Sequence, residues 1–446
     1  MEAFMKISQA MIVKNEERHI KRALEWGSSV MSEQIVVDTG SKDRTIELAK
    51  EKGAQVFSIP WQDDFSFSKN AAIERCKGDW IAFLDADEYI AKEDVSELPG
   101  IIERADAGGY DAISASSLDL DDNMKPFGGG TLVRFFKNQP NIRYHRCIHE
   151  QLSAYRVYDA TKEINIYHTG YSASEKKRKP SDRNLLLIKK ELSRNPKDDE
   201  MLGYLGDEYR ARMQYADAVD AYQRAISFFP ERLSESNQRA AVSMERLLEL
   251  YAYQLAWQKD PHGTQSEMKR ISFGEMQRLY DLATSRFPKE SDYDYIMGEY
   301  FYGENEYDEA KRYYGKALQK FSQYGFENRA LMLMPQLLHT YEKYAFCLFS
   351  TGEMKEAVKL ATQCIREDHQ SMLALKTLLL AFTVNGENEP TVDAIFSFLF
   401  KVYDITKLRD KMTLYYAAGD ANCPMLKDRI FRSFSEEEQK ALSQKP

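Results

Sequence analysis

The feature that most constrains this chain is a change of apolar period near residue 180. Over the first 170 residues, short apolar runs alternate with stretches of helical spacing. Ile7 to Val13, Gln34 to Val37, Val56 to Ile59 and Trp80 to Leu84 read as strands. His19 to Val30, Arg44 to Lys52 and Ser68 to Cys76 read as helices. Strands and helices in alternation predict an α/β domain over residues 1–171, with a mostly parallel, Rossmann-like sheet covered on both faces. Such sheets bind ligands beyond the carboxyl ends of their strands, so the polar residues after each strand are where chemistry is expected.

From Ser181 onward the spacing is helical throughout, and it repeats. Leu202, Leu205, Gly206, Tyr209, Ala218, Tyr222, Ala225 and Pro230 follow the small-and-large pattern of tetratricopeptide units. A second unit shows Met297, Gly298, Phe301, Ala310, Tyr314 and Ala317. A third has Ala345, Leu348, Gly352, Ala357, Ala361 and Cys364. Residues 235–288 read as a further helix pair with an insertion around Asp260-Pro261-His262-Gly263. An all-α tetratricopeptide-type region over 181–446 is therefore expected. Its stacked pairs offer a concave surface for an extended peptide or another subunit, a homodimer partner included, or serve structure alone. Residues 172–180, Ser172 to Pro180, are polar and basic and read as a linker, with a phosphate or acceptor contact as the alternative.

Composition narrows the function classes. A chain of 446 residues with 43% apolar content suits two or three globular domains. A net charge of −9 disfavours nucleic acid or an anionic membrane as partner of the whole chain. Cys76, Cys147, Cys347, Cys364 and Cys423 are scattered and form no CxxC, which predicts free thiols in a reducing cytoplasm. Met1 to Lys6 lacks the pattern of a signal peptide. The most apolar run, Leu373 to Phe382, carries Lys376 and is too short to span a bilayer, so no membrane span is expected.

The strongest chemical signal is Trp80-Ile81-Ala82-Phe83-Leu84-Asp85-Ala86-Asp87-Glu88. An apolar strand ends in two carboxylates separated by one small residue, and strand alternation would send Asp85 and Asp87 to one side. Carboxylate oxygens favour Mg²⁺ or Mn²⁺, ions able to bridge two phosphates and to neutralise a departing diphosphate. Three segments share the strand-end position. They are Met11-Ile12-Val13-Lys14-Asn15-Glu16-Glu17, Ile35 to Thr45 with Asp38-Thr39-Gly40-Ser41, and Pro60-Trp61-Gln62-Asp63-Asp64-Phe65-Ser66-Phe67-Ser68-Lys69-Asn70.

With these motifs in order, residues 7 to 170 resemble the family 2 glycosyltransferases, inverting enzymes of GT-A fold. The branch they look most like fuses that domain to tetratricopeptide repeats and includes sublancin-type peptide S-glycosyltransferases. The resemblance implies a donor site of Val13, Asn15, Glu16, Asp38, Lys69, Asn70, Asp85, Ala86, Asp87 and Arg134. Asp38 would contact the nucleoside, Asp85 the ribose or sugar, and Asp87 the metal. Lys69 and Asn70 stand where the branch often has Arg-Asn; for Lys69 the alternative is a surface helix charge. Thr39 replaces a carboxylate that reads uracil in many members, so a UDP-sugar is favoured by family but the base stays open. The turn formed with Gly40 and Ser41 is the alternative for Asp38.

The acceptor half holds Gly128-Gly129-Gly130, a mobile loop or a surface turn, then Arg134 and Tyr144-His145-Arg146-Cys147-Ile148-His149-Glu150. An inverting transfer calls for a base. Glu150 is the leading candidate and His149 its positioning neighbour or alternate, unless the two form a structural pair. In Tyr167-His168-Thr169-Gly170-Tyr171, His168 matches a further metal ligand of some GT-A enzymes; a buried structural histidine is the alternative. The implied activity is transfer of a hexose or N-acetylhexosamine from a nucleotide diphosphate sugar to Cys, Ser or Thr of a peptide or protein, such as a bacteriocin-type peptide. A cell-surface saccharide or lipid-linked glycan as acceptor, and an inactive interaction scaffold, are the competing readings.

Overall fold

Ile7–Val13 (β1) is the strand around which the N-terminal part is built: all of it but Ile12 is buried, as a strand covered on both faces requires. In the computed structural model, which describes residues 5–170, 182–229, 238–259, 269–325 and 332–443, β1 pairs in parallel with β2 (Glu33–Asp38) and β4 (Trp80–Phe83). β3 (Gln55–Ser58) extends the parallel set. Beyond β4 the sheet turns mixed. β7 (Pro126–Lys137) runs antiparallel to both β4 and β6 (Ala112–Leu120). β11 (Asn165–His168) lies parallel to β6 and antiparallel to β5 (Glu88–Ile90). The order is β3-β2-β1-β4-β7-β6-β11-β5, with β10 (Val157–Asp159) also on β6. β8 (Tyr144–His145) and β9 (Gln151–Leu152) form a separate ribbon.

Strand alternation sorts β4 between two cores. Trp80, Ala82 and Leu84 join Ile7, Ile101, Ile113 and Phe135, while Ile81 and Phe83 join Ala10, Ile35, Val37, Ile73 and Phe136. The helices cover these faces: α1 (Ile20–Glu25), α2 (Thr45–Glu51), α3 (Phe65–Ile73), α4 (Lys92–Val95) and α5 (Leu98–Ala107). Two differ from the sequence reading. α1 ends at Glu25, and residues 26–30 are turns. α3 begins three residues early because Asp64 caps it, its carboxylate accepting the Phe67 N–H at 2.9 Å.

Two further expectations are corrected. Strand β4 stops at Phe83, so Asp85 and Asp87 sit in the turn before β5, where the Glu88 N–H donates to the Asp85 carbonyl. Strand alternation is therefore not what brings them together. The three glycines at 128–130 lie within β7, paired opposite Asp119, Leu118 and Ser117, and are neither loop nor turn.

Chain contacts divide the protein into two units, Met1–Glu208 and Tyr209–Pro446. The first unit thus runs past residue 171 and includes α6 (Arg183–Arg194) and most of α7 (Asp199–Ala211). The linker at 172–180, Tyr171, Pro230 and the 260–263 insertion lie outside the described residues.

The second unit is all-helical among the described residues. α8 (Tyr215–Ser227), α9 (Gln238–Trp257), α10 (Phe273–Arg286), α11 (Asp292–Gly303) and α12 (Tyr307–Tyr324) share one core. α13 (Leu337–Ser350), α14 (Met354–Glu367), α15 (Met372–Phe382), α16 (Glu389–Leu399), α17 (Leu408–Asp420) and α18 (Pro424–Phe431) build a second. The small-and-large rule is visible at Gly298: a Cβ there would stand 2.6 Å from the Tyr314 ring, so α11 and α12 approach only because that residue is glycine. All five cysteines are buried and free, and no described helix is long and apolar enough to cross a membrane.

Candidate active site

The carboxyl ends of β1, β2 and β4 open on a cavity of about 380 Å³ in the first unit. Val13 lines it at the end of β1, Lys14 and Glu16 just after β1, and Thr39 just after β2. The Thr39 N–H and hydroxyl both donate to the Val13 carbonyl, at 3.0 and 3.1 Å, which fixes the two strand ends together. Asp38 is buried, but its carboxylate accepts the N–H groups of Gly40 and Ser41 at 3.0–3.2 Å. Asn15, in left-handed backbone, bonds Ser41 and Lys42. Asp38 and Asn15 thus shape the turns beside the cavity and are not among its lining residues.

Lys69 on α3 is the electrostatic centre. It is 3% exposed, and its ammonium stands 2.6 Å from Glu150 Oε1 and 3.4 Å from Asp85 Oδ1. This excludes the surface-charge reading. Burial works against the ammonium, yet the two carboxylates raise its pKa above the ordinary lysine range. Asp85 is half-buried, which penalises its charge, but Lys69 and Arg134 prevail and hold its carboxyl below the usual range. Arg134 forms a fork on Glu88, at 2.7 and 2.8 Å, and reaches Asp85 at 3.3 Å. It is not among the lining residues, and its contact with Asp85 orients that carboxylate. Both ends of the Asn70 amide bind the Tyr144 backbone, at 2.8 and 2.9 Å, anchoring β8 to α3.

Asp85, Ala86, Asp87, His149, Glu150 and His168 all line the cavity. Asp87 Oδ2 and His168 Nε2 are 3.5 Å apart, and His168 Nδ1 is 2.8 Å from Asp119. Burial opposes a charge on His168, but the bonds and charges of Asp87 and Asp119 push its pKa up to about 9. Gly170 closes on the same pair. A Cβ there would fall 1.9 Å from Asp87 Oδ2 and 2.6 Å from His168 Nε2. Among the described residues no group of three His, Cys, Asp or Glu side chains gathers around one ion position.

Several lining residues escaped the sequence reading. Trp61 and Phe65, rings 4.9 Å apart, lie in a segment whose sequence pattern gives neither ring a role. Arg183 and Asn184 come from α6, in the stretch assigned to the helical region. The Arg183 guanidinium stacks over Phe65 at 5.2 Å, and burial lowers its pKa. No periodicity signals such a residue, since only the return of α6 to the sheet brings it to the cavity.

An α/β sheet whose carboxyl strand ends gather acidic residues around one cavity is a ligand-binding architecture. Residues 8–157 match the glycosyl transferase family 2 model, and this part of the chain is a family 2 domain. A TPR repeat-containing protein of Synechococcus elongatus is 31% identical over 215 residues, 46% of this chain and 52% of that one. Glycosyltransferase SunS of Bacillus phage SPbeta is 25% identical over 230 residues, 50% of this chain and 53% of its own. The chain thus spans about half the length of these relatives. Among solved structures, Staphylococcus aureus TarS 1–349 in complex with UDP-GlcNAc is 14% identical, covering 56% of this chain and 88% of that one at a TM-score of 0.36.

Proposed function

We propose that this protein transfers a sugar from a nucleotide diphosphate sugar, a UDP-sugar by family, to a Cys, Ser or Thr side chain of a peptide or protein, with inversion. The observation that carries the reading is the convergence of Asp85, Asp87, His168 and Glu150 on one cavity at the strand ends of a family 2 domain. Likeness to SunS over half of each chain, together with the helical unit, supports a peptide acceptor.

Asp87 and His168 fit a divalent ion. With ligand bonds of about 2.1 Å, two donor atoms can share one ion when they are less than roughly 4.2 Å apart, and these stand at 3.5 Å. Asp119 behind His168 is the carboxylate support that metal-bound histidines use. Asp87 and His168 would hold such an ion, with its remaining positions open to the donor and to water, as Mg²⁺ and Mn²⁺ prefer. Such an ion supplies charge neutralisation for the leaving diphosphate.

The chain's own residues do the rest. Lys69 and Arg134 hold Asp85 ionised to receive hydroxyls of the donor. Glu150, steadied by Lys69, takes the proton of the acceptor oxygen or sulfur as that atom bonds to the anomeric carbon. The bond to the diphosphate breaks on the opposite face, its electron pair leaving with the diphosphate oxygen. General-base help of this kind contributes about 10²–10⁴-fold.

The test is a thermal-shift panel of nucleotide sugars with Mn²⁺, Mg²⁺ or EDTA. A bound donor at 100 times its Kd stabilises by about 2.7 kcal/mol. Asp87→Ala is expected to abolish metal-dependent turnover. Parent-like transfer by that variant, or turnover untouched by EDTA, overturns the mechanism.

A further inference from the structure

The loop between β8 and β9 carries both base candidates, His149 and Glu150, and its backbone is forced. Arg146 (φ 72°) and His149 (φ 48°) occupy the left-handed region, which residues with a Cβ disfavour. Such conformations persist only where the surroundings over-determine them.

What surrounds this loop is α6 and α7. The Arg146 guanidinium pairs with Asp198 at 3.1 Å and with Glu200. The Cys147 N–H donates to Glu191 at 2.9 Å, and its Sγ to the Leu187 carbonyl at 3.3 Å. The His149 ring lies flat on Tyr204, centroids 3.6 Å apart and planes 7° from parallel. From the other side, the Phe65 N–H donates to the Cys147 carbonyl at 2.9 Å. The loop is a strained arc held between the start of α3 and a helix pair that the sequence period assigns to the repeats.

We infer that Tyr204 is a positioning residue for the transfer step, its ring holding His149, and through it Glu150, in catalytic register. The helix pair is then a working part of the catalytic centre as well as the start of an acceptor platform. The physical reason is local. A plate against one face of His149 removes the rotamers by which its backbone would relax. Glu150 follows in the chain, and its 2.6 Å contact with Lys69 depends on that backbone staying in place. This inference rests on the transferase reading above.

The experiment uses the full chain with Mn²⁺ and whichever of UDP-, GDP-, ADP- and dTDP-glucose or UDP-GlcNAc stabilises it. It measures donor hydrolysis, KM and nucleotide affinity for the parent, Tyr204→Phe, Tyr204→Leu, His149→Ala and the double variant Tyr204→Leu/His149→Ala. Tyr204→Leu keeps an apolar side chain but loses the plate, so kcat is expected to fall at least tenfold with KM and nucleotide affinity within twofold. Tyr204→Phe restores kcat. In the His149→Ala background, Tyr204→Leu costs nothing more, because residues acting through one another are not additive. Should Tyr204→Leu fail to fold, His149→Asn tolerates the left-handed backbone, lacks the stack, and is expected to show the same kcat loss. Parent-like kcat in the stack-breaking variant, or additive losses in the double variant, overturns the inference alone. A parent that binds no nucleotide diphosphate, or binds it and releases no sugar, overturns the transferase reading and this inference with it.

Discussion

Lys69 Nζ lies 2.6 Å from Glu150 Oε1 and 3.4 Å from Asp85 Oδ1, so this one buried ammonium ties the proposed base to a second carboxylate of the cavity. Removing the cation leaves two carboxylates facing one another with their shared partner gone. Breaking a buried ion pair typically costs about 3–5 kcal/mol. Lys69→Met is expected to lower unfolding stability by an amount of that order, measured by urea denaturation, and to reduce turnover sharply. A loss below about 1 kcal/mol, the scale of an exposed pair, would show that the cluster is not a buried network.

Gly170→Ala tests the metal pair without touching either ligand. The added methyl would meet Asp87 and His168 at less than van der Waals distance, and the pair must part to admit it. The expected outcome is a Mn²⁺ requirement raised at least tenfold, with a lower melting temperature in EDTA because the pair is parted. An unaltered Mn²⁺ titration would place the ion elsewhere.

His168 links stability to pH in the metal-free protein. Its pKa in the folded chain is about 9, above the ordinary 6.5. A raised pKa means that the folded state holds the proton more tightly than the unfolded one. The stabilisation is therefore complete below about pH 6.5 and fades as pH rises through about 9. Melting curves in EDTA across this window are expected to fall for the parent and to fall less for His168→Gln. Parallel curves would remove His168 from the charged cluster.

The extent of the catalytic unit is open to truncation. A chain ending at residue 171 strips Asp198, Glu200, Glu191 and Tyr204 from the strained loop, whereas one ending at residue 211 retains them. Circular dichroism melting is expected to show a cooperative transition for residues 1–211 and a weaker or absent one for residues 1–171. Equal transitions would mean that the loop is held by the sheet alone.

Much of the fold was legible in the sequence because local spacing reports burial. Ile7–Val13 and Trp80–Phe83 are strands where their apolar runs lie, and Ala310, Tyr314 and Ala317 face a core at the helical spacing that announced them. Asp85, Asp87, Glu150 and His168 were likewise readable as candidates, since carboxylates and histidines at strand ends are poor core material. The side chains' destinations were another matter. The partners Arg134 and Asn70 take in the fold, Glu88 for one and the Tyr144 backbone for the other, carry no mark in the sequence.

By itself the sequence determined the order of elements, the place where strand period gives way to helix period, and the set of polar groups left at the strand ends. These follow from interactions between near neighbours, which a period records. Only the tertiary structure decided that Lys69 would be shared between Asp85 and Glu150, that Gly170 would seal Asp87 against His168, and that Arg183 and Tyr204 would reach the cavity and its loop. Those partners are distant along the chain, and their pairing depends on how the folded backbone returns on itself.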